Sequence, residues 1–246
     1  MAAILMASCS VFEDRSQCPD FIALDLDYLA DRSDNASLRL MYWNDDRLVE
    51  TSDVSYTPAK HEYDIPVSDG MVDIVALSPC DSARFDEEQK RILIPLGEQH
   101  HPFYGLARRV YVDGEDTYFS GVRLYKQFTR LRFKLRRVPY YDYTVSVVSD
   151  VCGLYTQTLE PVRGSFLYEF PLNEEIYECV VPRQMPDGRL DIVIKNRTHS
   201  SDTPDIAISL GESLRRESYD WSYPELSDIY AYVDVSKEIT IIQIMQ

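Results

Sequence analysis

Between Arg130 and Arg136 the chain alternates without a break: Arg130, Arg132, Lys134 and Arg136 are cationic, and Leu131, Phe133 and Leu135 between them are apolar. A period of two is the signature of a strand with one dry and one wet face, whereas a helix would spread those three apolar side chains around its circumference. Ile22, Leu24, Leu26 and Tyr28 repeat the pattern, with Asp25 and Asp27 on the opposite side. Further strand-like runs cover residues 38–43, 71–77, 91–96, 110–112, 143–148, 190–195, 206–210, 228–235 and 238–245. Turn clusters such as Ser68-Asp69-Gly70, Asp113-Gly114 and Pro186-Asp187-Gly188 separate them. Only residues 81–91 and 211–218 read as capable of a helical turn or two. The fold class predicted from this pattern is all-β.

With 45% hydrophobic and 27% charged residues, the 246-residue chain has the composition of a folded globular protein. Its net charge of −16 repels a phosphate backbone, so nucleic acid is excluded as a partner. Charge is uneven along the chain: residues 101–137 hold 9 basic and 3 acidic side chains inside an otherwise acidic sequence. Alternation stops at Arg137-Val138-Pro139, and a fresh strand starts near Tyr143. A boundary there gives two β-sandwich domains, residues 9–137 and 138–246, behind a short leader of residues 1–8. No run of about 18 apolar residues is present to span a membrane as a helix.

The leader reads MAAILMAS and is followed by Cys9, an apolar run ending in small residues before a cysteine and a polar stretch. It has the character of a partial lipoprotein signal peptide lacking its basic start, with Met6-Ala7-Ser8-Cys9 similar to a bacterial lipobox. Cys9 is the expected lipidation site. The other cysteines, Cys18, Cys80, Cys152 and Cys179, are too scattered for a zinc knuckle and read either as disulfide partners or as buried free thiols. Adjacent His100 and His101 face opposite ways on an extended chain, so no metal site is expected. Asp25 and Asp27 read as a solvated strand face. No nucleophile elbow, zinc-protease helix or phosphate loop occurs, so no catalytic residue and no cofactor are assigned. The basic row reads as pairing with acidic neighbours across strands. Trp221, Tyr223, Tyr230 and Tyr232 read as core packing or, alternatively, a sugar-stacking surface. Asp81-Ser82-Ala83 resembles an O-glycosylation acceptor used on exported Bacteroidales proteins. Asn35-Ala36-Ser37 and Asn196-Arg197-Thr198 match the eukaryotic N-glycan sequon.

Several stretches, taken in order, resemble the FimB-type fimbrial anchor subunits of Bacteroidales. They are Cys9 to Pro19 with its second Cys-Pro, Phe103-Tyr104-Gly105, Val110-Tyr111-Val112, the long strand Arg123 to Arg137, Ser218-Tyr219-Asp220-Trp221 with Glu225-Leu226-Ser227-Asp228-Ile229, Tyr232-Val233-Asp234-Val235, and the terminal strand Glu238 to Met245. The resemblance implies two transthyretin-like β-sandwich domains in tandem and an outer-membrane lipid anchor on Cys9. It also implies a non-catalytic role at the base of a fimbrium, tethering the fibre and limiting its length through contact with the major subunit, the pilin. Within that reading the last strand is the partner-binding element: Ile239, Ile241, Ile242 and Ile244 make it β-branched on both faces, more than an edge strand with one wet face requires. Two placements fit it, an interior strand or a strand shared with a neighbouring subunit. The alternative function is a surface glycan-binding β-sandwich lipoprotein.

Overall fold

The computed structural model describes residues 20–26, 37–55, 62–78, 85–86, 90–113, 118–172, 174–197, 204–237 and 239–245. The first strands are β1 (Asp20–Asp25), β2 (Ser37–Asn44), β3 (Arg47–Ser55), β4 (Glu62–Val67) and β5 (Gly70–Ser78). Next come β6 (Phe85–Asp86), β7 (Arg91–Leu93), β8 (Tyr104–Val112), β9 (Tyr118–Gly121) and β10 (Tyr125–Lys126). A three-stranded sheet in the order β4-β1-β9 faces a five-stranded sheet in the order β10-β8-β5-β2-β3. Between them lies a core that includes Ile22, Leu24, Leu38, Leu40, Ile65, Val72 and Ile74. The predicted alternation places Ile22, Leu24 and Leu26 there, and all three are buried.

The remaining elements are β11 (Phe128–Arg136), β12 (Tyr143–Tyr155), β13 (Pro161–Glu169), β14 (Tyr177–Pro182), β15 (Leu190–Asn196), β16 (Ile206–Ser209), α1 (Leu210–Arg216), β17 (Asp228–Asp234) and β18 (Ile239–Met245). One sheet runs β14-β11-β17-β18 and the other β16-β15-β12-β7-β6, with β13 also paired to β12. They enclose a second core built on Leu131, Phe133, Val147, Phe166, Ile192 and Ile229. Ser209 caps α1 by accepting from the Glu212 amide, and Glu212 and Arg215 lie at the ends the helix dipole favours. The fold is therefore all-β, as the periodicity predicts.

The boundary at residue 137 requires correction. It leaves β11 with the first sandwich, yet β11 pairs with β14 and β17 and buries Leu131 and Phe133 in the second core. Pro139 ends a strand, and the change of sandwich comes earlier, at Gln127 between β10 and β11. The short strands β6 and β7 also cross over, joining the second sandwich through β12. For the same reason residues 81–91, read as a possible helical turn, contain Phe85–Asp86 as a strand and the first residue of β7.

A third apolar cluster joins the two sandwiches. Met41, Trp43, Val75 and Leu77 on the outer face of the five-stranded sheet pack against Ile92, Phe103, Leu154 and Leu159. Gly153 permits the close pairing of β12 with β7, which brings Ile92 into this cluster: a Cβ there would lie 2.0 Å from the Ile92 carbonyl oxygen. Asp73 borders the cluster, receiving both Arg109 Nε and Nη2 and the Gln157 amide.

Candidate subunit-docking edge

Strand β18 pairs antiparallel with β17 from Asp228↔Met245 to Asp234↔Ile239, and it is the last strand of its sheet. Directly paired residues share a face. Ile242 and Ile244 therefore lie on the side of Ala231 and Ile229, facing the core, while Ile241 and Gln243 lie with Tyr232 and Tyr230 on the outer side. Ile242 is half-buried against the second core, Ile244 is 38% exposed although it faces inward, and Ile241 is 62% exposed. Ile239 pairs with Asp234 at the start of the strand. Ile241, Ile242 and Ile244 thus do not form one surface; what the four isoleucines share is the edge strand. Of the two placements open from the sequence, the edge is the one observed.

The opposite edge strand of the same sheet, β14, is met at Val180. The His100 amide donates to the Val180 carbonyl at 3.2 Å, and the Val180 amide donates to Gln99 Oε1, also at 3.2 Å. Nearby, the Gly97 amide donates to Leu167 of β13 at 2.8 Å. Gln99 and His100 therefore occupy both main-chain groups of Val180, which would otherwise help to template another strand. No periodicity in the sequence marks this segment as an edge cover. In the first sandwich the edge strand β3 carries Arg47, Glu50 and Asp53, the charged residues that usually guard an edge. Strand β18, reading ITIIQIM, carries no charge at all.

The outer face beside β18 is matched rather than free. Arg132 reaches Glu178 at 2.6 Å, Lys134 reaches Glu175 at 2.8 Å, and Arg137 reaches Asp234 at 3.2 Å. The Lys134 ammonium holds the Glu175 carboxyl below its usual range by hydrogen bonding and charge. Of the row, Arg132 and Lys134 are paired across strands as expected, while the Arg136 guanidinium lies over the Tyr232 ring at 5.7 Å.

The other sequence candidates fall apart as sites. Cys9, Cys18 and Cys80 lie outside the described residues, as do Asp27, Asp81-Ser82-Ala83, Asn35, Ala36 and Thr198. Cys152 and Cys179 are free thiols, and burial pushes the Cys179 thiol up. His100 is buried against Phe103 while His101 is exposed, as extended backbone dictates. No cluster able to hold a metal occurs among the described residues. Trp221 is only 4% exposed and packs edge-on to Tyr219, so the proposed aromatic platform of Trp221, Tyr223, Tyr230 and Tyr232 does not form. Among the described residues no helix is long and apolar enough to cross a membrane.

In the first sandwich, β1 lies in the middle of its sheet, antiparallel to β4 and parallel to β9. Strand β1 thus fills an interior place of that sheet.

No protein-family model matches the chain, and no curated protein sequence is significantly similar to it. Solved structures do share its fold. The fimbrial anchor protein Mfa2 of Porphyromonas gingivalis superposes with a TM-score of 0.63 at 12% identity, covering 92% of this chain and 97% of that one. A candidate polysaccharide-binding protein of Bacteroides thetaiotaomicron gives 0.60 at 10% identity over 94% and 99% of the two chains. A candidate adhesin of the same species gives 0.56 at 16% identity over 92% and 96%. Over nearly its whole length, the chain has the fold of the fimbrial anchor protein Mfa2 and of these surface proteins.

Proposed function

We propose that the protein is a non-catalytic fimbrial anchor subunit, acylated on Cys9 and held in the outer membrane, that retains a fimbrium by pairing a strand of the major subunit with β18. One observation carries the reading: β18 is the uncharged last strand of its sheet, with Ile241 62% exposed on its outer side. An added strand would gain main-chain hydrogen bonds along β18, and its inward side chains would cover Ile242 and Ile244. The likeness of fold to Mfa2 supports the assignment. The position of β1 supports the end-of-fibre role and the limit on length. A subunit whose own strand occupies the sheet accepts no strand at that place, so the fibre would stop there.

Two substitutions in the full-length protein, expressed behind a complete signal peptide, test the two halves of the proposal. Ile241→Lys places a charge on the outer side of the edge strand and is expected to release fimbriae into the medium while the protein stays in the outer-membrane fraction. Cys9→Ala is expected to release the protein itself, since stable anchoring takes two or more acyl chains. Fimbriae still retained by the lysine variant would overturn the docking edge. Membrane retention of the alanine variant would overturn the lipid anchor.

A further inference from the structure

Ile244 faces the core from β18 yet stays 38% exposed, whereas Ile229, its partner on β17, is fully buried. The exposure comes from a cavity of about 220 Å³ that Ile244 lines together with Tyr219, Asp220, Tyr223, Glu225 and Ser227. Ile229 is no part of that wall, so the cavity meets Ile244 on the side away from β17. The other wall residues belong to the segment between α1 and β17, and the interior of the molecule holds that segment in place. Buried Arg183 donates through Nη1 to the carbonyl oxygens of Trp221 and Tyr223, through Nη2 to that of Pro224, and through Nε to Gln127 Oε1. The Tyr219 hydroxyl donates to the Ser227 carbonyl at 2.7 Å, and the Ser222 amide and hydroxyl both donate to Asp220 Oδ1. The wall is therefore fixed before any partner arrives.

The volume is below the roughly 300–1,000 Å³ of small-molecule sites and suits a side chain. On a strand added beside β18, the residue directly opposite Ile244 shares its face and points into this cavity. Ile244 and the ring of buried Tyr219 offer apolar surface, and Tyr223 stands exposed beside them. Asp220 and Glu225 carry the charge, and no cationic side chain lines the cavity. Hydrogen bonds from Ser222 and, to a smaller extent, the charge of Arg183 hold the Asp220 carboxyl below its usual range, so it is ionised and partly offset. Glu225 is exposed and makes no ion pair among the described residues. A lysine or arginine matches this arrangement: its methylene stem lies on apolar surface while its head stays at the wet rim, and a tyrosine ring favours the cation further. An acidic side chain would meet like charge, and a short polar one would leave Ile244 wet.

We propose that this cavity selects the docked strand by taking a lysine or arginine at the position opposite Ile244, with the stem against Ile244 and Tyr219 and the charged head beside Glu225. The inference rests on the docking of a fimbrial strand to β18 and adds what fixes the identity and register of that strand. A slip of one residue would turn the basic side chain to the outer face.

The full-length protein, expressed behind a complete signal peptide in fimbriated cells without another copy, tests the inference through the fimbriae released into the medium. Glu225→Lys should release at least about tenfold more than wild type, the margin of one charge-assisted contact, and Glu225→Gln should fall between the two. Because Glu225 is exposed, neither variant should alter the melting curve of the protein. Raising salt from about 0.05 to 0.5 M should release fimbriae from wild type by screening the pair, and should do so less in Glu225→Gln. Ile241→Lys, run in parallel, separates this inference from the docking edge on which it rests. Release by Ile241→Lys together with retention by Glu225→Lys would leave the edge standing and overturn the basic residue. Retention by both would overturn the two together. Equal release by Glu225→Gln and Glu225→Lys, or an undiminished salt response in Glu225→Gln, would also overturn the inference, since the cavity would then not be selecting charge.

Discussion

At the scale of single residues, the strand that most clearly announces itself in the sequence also gives the sharpest test of register. Phe133 is fully buried, stacked on Tyr177 at 5.1 Å and edge-on to Phe170, while neighbouring Arg132 stands in an exposed pair with Glu178. Phe133→Ala should therefore cost about 3–5 kcal/mol in denaturant melts, and Arg132→Ala no more than about 1 kcal/mol. Equal losses would mean that the faces of β11 are reversed. His100 supplies a second test, in acid. Burial brings its pKa down from 6.5 to about 3. Between those values the unfolded chain binds the proton and the folded chain does not. Stability should thus fall as pH drops from about 6.5 towards 3, with a limiting slope of about 1.4 kcal/mol per pH unit from this one group. His100→Phe should flatten that part of the stability profile. A wild-type slope between about pH 6.5 and 4 that survives the substitution would overturn the assignment to His100; the loss expected from Asp73, whose carboxyl Arg109 holds below its usual range, comes only below about pH 4.

At the scale of elements, what could be read from sequence is set by how each strand is buried. Strands β2, β5, β15, β17 and β18 were legible because alternation or a continuous apolar run marks each one. In β5 the run from Val72 to Leu77 is broken only by Asp73, and the strand is dry on both faces, one against the first core and one against the junction. Strand β3 left no such mark. Its residues are mostly exposed, and it is held by its pairing to β2 rather than by a hydrophobic face. The apolar character of β18 was visible, but its position at an edge depends on which strands are its neighbours, which the residues of β18 alone do not encode. The same holds for Arg183, a lone arginine until three carbonyl groups from residues 221–224 converge on it. The edge position carries its own prediction. Ile242→Ala should destabilise the second sandwich, since Ile242 packs on the core, by up to about 2 kcal/mol for a half-buried site. Ile241→Lys should leave the melting midpoint within about 0.5 kcal/mol of wild type. A large loss from Ile241→Lys would show that the outer face of β18 is covered within the molecule and is not free for a partner.

At the scale of the whole molecule, the decisive feature is that the chain weaves the two sandwiches together instead of stringing them. Strands β6 and β7 leave the first half to pair within the second, and the chain then returns to the first sandwich as β8. Met41, Trp43, Val75 and Leu77 would be an exposed apolar face if the sandwiches separated, and Leu154 and Leu159 would be exposed with them. Exposing that area is costly at roughly 25 cal/mol per Å², so neither sandwich should unfold while the other remains. Calorimetry should accordingly show one transition whose van't Hoff and calorimetric enthalpies agree. Leu154→Ala, a fully buried junction residue, should lower that single transition by about 2–5 kcal/mol. Gly153→Ala should act differently. Its Cβ meets the backbone of Ile92, which no side-chain rotation can relieve, so β7 must part from β12. With that crossover loosened, the single transition should broaden or split into two, one for each core. If Gly153→Ala shifts the midpoint but leaves a single two-state transition, the crossover is not what couples the sandwiches, and the apolar junction alone must do so.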